Sequence, residues 1–291
     1  MSIDLSTPTV DTTLPTLYVS DLDGTLLGHD SLVSAASVAM LNRLIDERGI
    51  LFTVATARTP ATVEPIMQQV HMRLPLITMT GAALWDAASH RFAGTQILAP
   101  DVVDGVLRVL TDEGLHPFVY RRCGDRLEAH HASELTTAEH HFVEERQHLT
   151  LKRFVLGDEA RLFSDDSDTL LIFVMNEYAR LERAHRLITA ALPCTAMLYR
   201  DIFDPATGLL EVYRQGCTKA RAIAELAQQC GAGRVVTFGD NLNDLDMLRH
   251  ADVAVAVDNA VSEVKAIANI IIGTNTADAV PKFIMHEECL A

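Results

Sequence analysis

No apolar segment of this 291-residue sequence approaches the length needed to cross a lipid bilayer. The longest clean apolar run covers residues 170–175, whereas a membrane-spanning helix needs about 20 apolar residues. The first residues, MSIDLSTPTVDTTLPT, also lack the basic start and the apolar stretch of a secretory signal peptide. We therefore expect no association with a membrane and a cytoplasmic location.

Basic charge and paired cysteines are also scarce. The 24 Lys and Arg residues are outnumbered by 39 Asp and Glu residues, which gives a formal net charge of −15. Such an acidic chain repels nucleic acid, whose binding depends mainly on basic contacts with phosphate. The five cysteines include no C-x-x-C pair, which favours isolated reduced thiols over disulfides or a zinc site. We therefore expect no nucleic-acid partner and no zinc centre.

Apolar residues are plentiful and follow a regular pattern at both ends of the chain. Hydrophobic residues make up 48% of the sequence, enough for a sizeable core, and the length suggests about two domains. Short, continuously apolar strands alternate with segments of helical periodicity. The strands are expected at residues 16–19, 50–55, 74–79, 234–238, 253–257 and 270–272. This alternation is typical of a parallel sheet that helices cover on both faces.

The middle of the sequence has a different pattern. Residues 116–122 and 125–131 are expected to form two strands joined by a tight turn, which implies antiparallel pairing. Helical stretches lie between such strands, so this part is typical of an α+β module. We predict an α/β fold in which a Rossmann-like parallel-sheet core carries an inserted α+β cap domain. The predicted limits are 1–15 for a loose tail, 16–83 and 212–291 for the core, and 84–211 for the cap.

Two acidic residues follow the first apolar strand. Asp21 and Asp23 lie at the edge where open parallel sheets bind their ligands. Side chains two apart on an extended segment point the same way, and Gly24 and Thr25 then permit a sharp turn. Two carboxylates in a cleft favour a divalent cation, and Mg²⁺ fits because it prefers oxygen ligands and needs few carboxylates. Taken alone, a D-x-D pair is more often a turn with helix capping.

A second acidic pair follows another apolar strand. Asp240 and Asp244 are four residues apart, a spacing that can place both on one face at a helix entry. Thr56 offers a hydroxyl group at the end of a third strand, and Lys219 lies near the start of a helix. Each of these residues alone has an ordinary explanation as a cap or a surface side chain. Their significance therefore depends on their occurring together.

The order of these features resembles the haloacid-dehalogenase-like (HAD) phosphohydrolase superfamily. The chain has strand–DxDGT, strand–T-x-R, a lysine at a helix start and strand–GDxxND, in that order. The insertion between the second and third motifs is similar to the large cap of the Cof-like branch. Residues 80–82, 253–257 and 259–260 strengthen the resemblance, which spans about residues 16–285. It implies a magnesium-dependent phosphatase that hydrolyses a small phosphorylated metabolite, such as a sugar phosphate, through an aspartyl-phosphate intermediate.

The resemblance also implies a role for each motif residue. Asp21 would be the nucleophile that attacks phosphorus. Asp23 would protonate the leaving oxygen and then activate water. Thr56 and Lys219 would hold the phosphoryl oxygens and offset their charge. The implied metal site consists of Asp21, the backbone carbonyl of Asp23, Asp240 and, behind them, Asp244. The residues expected to touch the substrate are Gly24, Thr25, Ala57, Arg58, Gly81 and Asn243.

Two positions depart from the pattern of this branch. Ala57 stands where Gly is more frequent, and Thr80 stands where Asn is common. Both lie where the substrate would meet the core, so they bear on which substrate binds and not on the chemistry. Two alternatives stay open: a phosphosugar mutase on the same scaffold, and a non-catalytic regulatory protein that binds a phosphometabolite.

Overall fold

A computed structural model describes residues 14–157, 168–201, 204 and 206–290. Residues 1–13, most of the predicted N-terminal tail, lie outside the described residues. The strands are β1 (Thr16–Ser20), β2 (Leu51–Val54), β3 (Leu76–Thr78), β4 (Ala83–Asp86), β5 (Arg91–Thr95), β6 (Phe118–Cys123), β7 (Arg126–His131), β8 (Lys152–Leu156), β9 (Thr169–Glu177), β10 (Cys194–Arg200), β11 (Thr207–Arg214), β12 (Arg234–Gly239), β13 (Val253–Ala256) and β14 (Ile270–Ile271). The α-helices are α1 (Ala35–Arg43), α2 (Pro60–Met67), α3 (Pro100–Asp112), α4 (Thr137–Glu144), α5 (Tyr178–Ala191), α6 (Lys219–Cys230), α7 (Leu245–Arg249), α8 (Ser262–Ile267) and α9 (Ala279–Leu290). Among the described residues, no helix is both long and apolar enough to span a membrane.

The core sheet has the strand order β14-β13-β12-β1-β2, and each neighbouring pair is parallel. The strand β1, between β12 and β2, is buried on both faces, since Leu17, Tyr18 and Val19 are all inaccessible to solvent. A strand with apolar residues at consecutive positions needs such cover, because successive side chains point to opposite faces. The predicted parallel sheet with helices on both sides is confirmed.

A small antiparallel sheet extends this core. The strands β3, β4 and β5 pair in that order, and β3 meets the edge of the core through a parallel bridge between Ala55 and Ile77. Trp85 of β4 is buried in the same apolar cluster as the core strands, and its Nε1 donates a hydrogen bond to Glu64 at 2.6 Å. The sequence-based limits placed this hairpin in the cap. Because it packs with the core, we propose that the insertion begins near residue 96.

The cap is built on a second, six-stranded sheet. Its order is β10-β11-β9-β6-β7-β8, and all pairs are antiparallel except β7 with β8. The helices α3 and α5 cover one face, where Val106 and Leu110 of α3 and Ile188 of α5 pack against Leu210 and Val212 of β11. The helical spacing of these apolar residues gives each helix one buried side. The cap is therefore the α+β module that the sequence predicts.

The opposite face of the cap sheet carries an aromatic cluster. Phe142 of α4 lies 5.4 Å from both Phe118 and Phe173, measured between ring centroids. Lys152 is buried beside this cluster, with its Nζ 4.9 Å from the ring centroid of Phe154 and 5.6 Å from that of Tyr120. Rings of this kind attract a cation through their faces. The cap core therefore contains a buried lysine that is surrounded by aromatic rings.

The two ends of the insertion meet at one place. Arg214, the last residue of β11, donates a hydrogen bond from Nη1 to the Oε1 of Gln96, which follows β5. The backbone N–H of Gln96 in turn donates to the carbonyl of Ala82 at 2.8 Å. The chain thus leaves the core and returns to it beside the same hairpin. Five residues beyond Arg214, the helix α6 begins at Lys219.

Candidate active site

The carboxyl ends of three neighbouring strands bring the predicted motifs together. In the parallel register, Ser20 of β1 pairs with Phe238 of β12 and with Val54 of β2. The N–H of Asp21 then donates to the carbonyl of Phe238 at 2.9 Å. Asp21, Thr56 and Asp240 therefore follow adjacent strands at one edge of the sheet, as expected for the ligand-binding edge of an open parallel sheet.

The loop after β1 fits closely against the loop after β12. Gly24 has φ +76°, and a Cβ atom at this position would overlap the carboxylate of Asp240. Glycine is required here for two reasons: it adopts a left-handed backbone conformation without strain, and it has no Cβ atom to collide with the nearby carboxylate. Thr25 donates a hydrogen bond from Oγ1 to the Oδ1 of Asp240 at 3.0 Å. In the structure, Gly24 and Thr25 thus position Asp240, and contact of either with a substrate stays a prediction.

Lys219 links two carboxylates in the interior of the site. Its side chain is 2% exposed, and its Nζ donates to Asp21 Oδ1 at 2.6 Å and to Asp244 Oδ1 at 2.8 Å. The helix start that holds it is capped by Thr218, whose side chain accepts a hydrogen bond from the N–H of Arg221. Gly81 has φ +96°, and a Cβ atom there would lie 2.6 Å from the carbonyl of Thr218. Gly81 therefore allows the start of α6 to approach the core.

Asp244 is fully buried and anchors the loop that carries Asp240. Its Oδ2 accepts hydrogen bonds from the backbone N–H groups of Asp240 at 3.0 Å and Asn241 at 3.2 Å. One carboxylate oxygen from each of Asp21, Asp240 and Asp244 lies within 4.8 Å of the others. Asn243, predicted to touch phosphate, lies exposed in the same loop. Asp240 and Asp244, which are four residues apart in sequence, thus lie in the same cluster of carboxylates.

The electrostatics of this cluster favour a divalent cation. Burial and the nearby Asp244 carboxylate raise the pKa of Asp21 to about 8, and the same two causes raise the pKa of Asp240 to about 6. Burial lowers the pKa of Lys219, but the charges of Asp21 and Asp244 outweigh it and raise the pKa overall. Three carboxylates therefore share one ammonium group. A hard cation with oxygen ligands would offset the remaining negative charge, and Mg²⁺ fits this donor set.

Asp23 lies at the exposed side of the site and is held by Arg58. Its side chain is 53% exposed. The Nε of Arg58 donates to Oδ2 at 2.7 Å and Nη2 donates to Oδ1 at 2.6 Å. The N–H of Arg58 donates to the Oγ1 of the buried Thr56 at 3.1 Å, and Ala57 between them is exposed. Arg58, predicted to bind substrate, therefore contacts the predicted acid and base of the reaction.

Comparison with known proteins agrees with this arrangement. A model of the haloacid dehalogenase-like hydrolase family matches residues 18–284, which is most of the chain. The chain belongs to this family. The haloacid dehalogenase-like fold and the Cof-like resemblance predicted from the motifs are thereby confirmed.

Relatives of this haloacid dehalogenase-like hydrolase are named as phosphatases. The HMP-PP phosphatase of Serratia proteamaculans is 28% identical over 93% of this chain and 94% of that protein. The 5-amino-6-(5-phospho-D-ribitylamino)uracil phosphatase YitU of Bacillus subtilis is 24% identical over 94% and 97%, respectively. A haloacid dehalogenase-like hydrolase of Bacteroides thetaiotaomicron has a similar structure, with a TM-score of 0.74 and 23% identity over 94% of this chain and 99% of its own. The prediction of a phosphomonoester hydrolase is confirmed.

The cap of this haloacid dehalogenase-like hydrolase adds polar groups that the motifs do not indicate. Tyr213 of β11 donates from its hydroxyl group to Glu211 Oε2 at 3.1 Å, and the same hydroxyl oxygen lies 3.5 Å from Thr80 Oγ1. Thr80 is buried with φ +57°, an unusual conformation for a β-branched residue, and its N–H donates to the carbonyl of Thr56 at 2.9 Å. The sequence contains a sign of this polar group, because Glu211 is the one charged residue within the otherwise apolar run of residues 209–213.

Proposed function

We propose that this protein is a magnesium-dependent phosphatase that hydrolyses a small phosphorylated metabolite through an aspartyl-phosphate intermediate. The observation that carries the proposal is the pair of hydrogen bonds from Lys219 to Asp21 and Asp244. A lysine paired in this way holds the Asp21 carboxylate in place, and its charge opposes the pKa rise that burial and Asp244 cause, which favours the charged, nucleophilic form. The same ammonium group is available to the oxygens of an incoming phosphoryl group.

The acidic cluster supplies the ligands for the metal. Asp21, the backbone carbonyl of Asp23 and Asp240 would hold Mg²⁺, and Asp244 would keep the Asp240 loop in place through its two backbone hydrogen bonds. The cation would supply the positive charge that allows an anionic carboxylate to approach an anionic phosphate ester. Thr25 and Gly24 support this site, because both fix the position of the Asp240 carboxylate.

Two carboxylates with different surroundings, Asp21 and Asp23, would take different roles in the reaction. Asp21, which is buried, attacks phosphorus, and the bond from phosphorus to the leaving oxygen breaks. Asp23, which is half-exposed, gives a proton to that oxygen. In the second half of the reaction, Asp23 takes a proton from water, the water oxygen bonds to phosphorus, and Asp21 is released. Thr56 and Lys219 hold the phosphoryl oxygens in both halves, so the net products are an alcohol and phosphate.

The cap and the relatives support a small substrate. A domain of more than 100 residues inserted beside the site would exclude water when it closes, and its side chains would contact the leaving group. The relatives in Bacillus and Serratia are named for small phosphorylated compounds. A phosphoprotein segment or duplex nucleic acid is too large to fit beneath such a cap, and the net charge of −15 disfavours nucleic acid independently. A sugar phosphate, or a similar polyol or nucleotide monoester, is the substrate class that we propose.

A comparison of specificity constants tests this proposal. Phosphosugars, nucleoside monophosphates, phosphopeptides and an aryl phosphate are assayed with Mg²⁺ and after exhaustive chelation. We expect phosphate release that needs the metal and is fastest with a small metabolite. Phosphopeptides ranking first would overturn the substrate class. A requirement for a sugar bisphosphate without net phosphate release would indicate a mutase, and binding without turnover would indicate a regulatory protein.

A further inference from the structure

The face of the cap sheet opposite α3 and α5 carries a carboxylate at β11. Glu211 lies in register with Phe173 of β9 and Met197 of β10, so its side chain stands between these two on the same face. Tyr199, two residues beyond Met197, lies on this face as well, diagonal to Glu211. A carboxylate and a phenol therefore interrupt a surface that is otherwise largely apolar.

On β11, this part of the face is more accessible to solvent than the helix-covered face. Leu210 and Val212 are completely buried, whereas Glu211, Met197 and Tyr199 are only half-buried. Alternate residues of β11 differ in this way because successive side chains point to opposite faces, of which one is packed and the other is more open. This side of β10 and β11 thus offers polar groups that are not fully buried.

Hydrogen bonds and charge connect this face with the catalytic edge. Glu211 accepts a hydrogen bond from the hydroxyl group of Tyr213, whose oxygen also lies 3.5 Å from Thr80 Oγ1, and the N–H of Thr80 donates to the carbonyl of Thr56. Burial raises the pKa of Glu211 to about 7, while the hydrogen bond from Tyr213 and the charge of Lys219 act in the opposite direction. Lys219 also lowers the pKa of Tyr199, against the larger effects of burial and Glu211. Both side chains are therefore close enough to Lys219 to sense its charge.

Both polar groups retain hydrogen-bonding capacity. An ionised carboxylate has about four acceptor sites, and within the described chain Glu211 accepts through Oε2 from Tyr213, while its Oε1 accepts no hydrogen bond. Tyr199 donates to the Sδ of Met197 at 2.8 Å, and a thioether is a weak acceptor. Burying a charge without sufficient donors is unfavourable. A ligand that brings donors to this face would satisfy both groups.

We propose that Glu211 and Tyr199 form the subsite for the leaving group and select leaving groups that carry an amine or hydroxyl group over those that carry a carboxylate. The inference rests on the proposed phosphatase function and specifies its substrate class. A hydrogen-bond donor on the leaving group would supply a partner for Glu211 Oε1. A carboxylate on the leaving group would instead place a second negative charge next to Glu211. A site built to bond a donor rejects analogues without one strongly, because its own buried group is then left unpaired.

Three series of simple esters provide the test: aminoalkyl, hydroxyalkyl and carboxyalkyl phosphates with chains of about two to five carbons, assayed at about pH 8, where Glu211 is ionised. The wild-type enzyme should favour the amino over the carboxy series in kcat/KM by about ten- to hundred-fold at the best chain length, as expected for hydrogen bonds to a charged group. Glu211→Gln keeps the shape and removes the charge, so this ratio should fall to about three-fold or less.

Tyr213→Phe is the matched control. It removes the hydrogen bond to Glu211 but leaves the carboxylate charge, so the preference for amines should persist. Loss of the preference in Tyr213→Phe but not in Glu211→Gln would overturn the inference, because it would assign Glu211 a structural role. Equal wild-type rates for all three series, with an aryl phosphate still hydrolysed, would overturn the subsite alone. Failure to hydrolyse any ester, the aryl phosphate included, would instead refute the proposed function.

Discussion

Arg58 and Asp23, 35 residues apart in sequence, form a two-pronged ion pair at the mouth of the site, with N···O distances of 2.7 and 2.6 Å. The planar guanidinium group matches both carboxylate oxygens at once, so it fixes the rotation of the carboxylate as well as its place. Because the N–H of Arg58 also donates to Thr56, the orientation of Asp23 depends on the end of β2. Arg58 is thus placed to position the proposed acid and base.

Replacement of Arg58 by lysine tests this positioning. A single ammonium group cannot hold both oxygens in a fixed plane. We expect Arg58→Lys to lower kcat by about 10- to 100-fold, in the range of a lost acid–base contribution, with a smaller change in KM. Steady-state kinetics with an aryl phosphate measure both. Arg73→Lys, at an exposed arginine that pairs with Asp46, is the control. A raised KM with unchanged kcat would show that Arg58 binds substrate instead.

Loss of the nucleophile should abolish turnover without unfolding the protein. Asp21→Asn keeps the shape of the side chain but removes the attacking charge, so kcat should fall by several orders of magnitude. Phosphate release measures activity and circular dichroism confirms folding. Asp46→Asn changes an exposed carboxylate in the same way and should keep its activity. A folded Asp21→Asn protein with near wild-type activity would contradict the covalent mechanism.

Magnesium should stabilise the protein as well as activate it. A ligand bound only by the folded state adds about 2.7 kcal/mol at about 100 times its Kd, which corresponds to a Tm increase of several degrees. Calcium should support activity poorly, since it prefers more ligands and longer bonds. Asp240→Asn removes one charge from the cluster and should abolish the Tm increase, whereas Asp246→Asn, outside the cluster, should retain it. An unchanged Tm shift in Asp240→Asn would argue against the metal assignment.

The backbone at Thr80 stores strain that a substitution should relieve. Thr80 has φ +57°, and β-branched residues rarely adopt this conformation, whereas Asn and Gly do so more readily. Thr80→Asn should therefore raise the free energy of unfolding by about 1 kcal/mol, measured by urea denaturation. Thr78→Asn makes the same change at an extended position with φ −119° and should destabilise the buried strand β3. Equal destabilisation at both positions would show that the side chain of Thr80 matters more than its backbone.

Because of Lys152, the free energy of unfolding should change with pH in the neutral to alkaline range. Burial, with a smaller effect of Arg146, lowers its pKa to about 7, below the usual value of about 10.4. Between these values the unfolded chain binds a proton that the folded chain does not, so stability increases with pH by up to about 1.4 kcal/mol per pH unit. Lys152→Met should therefore be more stable than the wild type at pH 7, and the difference should shrink towards pH 10.

Thermal unfolding of both proteins across this pH range measures the effect. Lys265→Met replaces a more exposed lysine that pairs with Asp258 and should not change the pH profile in this window. Parallel profiles for wild type and Lys152→Met would mean that the Lys152 amine keeps its proton inside the cap.

The sequence predicts which acidic residues lie together at the strand ends, because their placement follows from local pattern; their catalytic roles stay predictions. Val19 and Phe238 belong to apolar strands, and parallel pairing brings the residues after them, Asp21 and Asp240, to one edge without further information. The same reasoning fails where contacts depend on tertiary placement. Gly81 was expected to touch substrate, but the structure shows the backbone of Thr218 against it, 137 residues along the chain; contact with a substrate stays a prediction.

The strands that the sequence pattern did not indicate are short or uneven. In β4 and β5, Trp85 pairs with Phe92 across an irregularity in the register, and alternation is lost at that point. In β8, Lys152 is buried although lysine normally indicates an exposed position. Glu211 also departs from the pattern, since this charged residue is half-buried in an otherwise apolar strand and accepts a hydrogen bond from Tyr213. In each case the local alternation of apolar and polar residues does not indicate the position that the side chain takes.

The hydrogen bond between Arg214 and Gln96 has a consequence for the modularity of the chain. Because the insertion begins and ends at neighbouring points, its removal would leave a gap that a short linker can close, and the strands that carry Asp21, Thr56 and Asp240 need not shift. A foreign domain with adjacent termini could be grafted at the same junction. Exchange of the inserted domain at these two crossings beside the β4–β5 hairpin should therefore change the proposed leaving-group recognition and leave the proposed phosphoryl chemistry with the core.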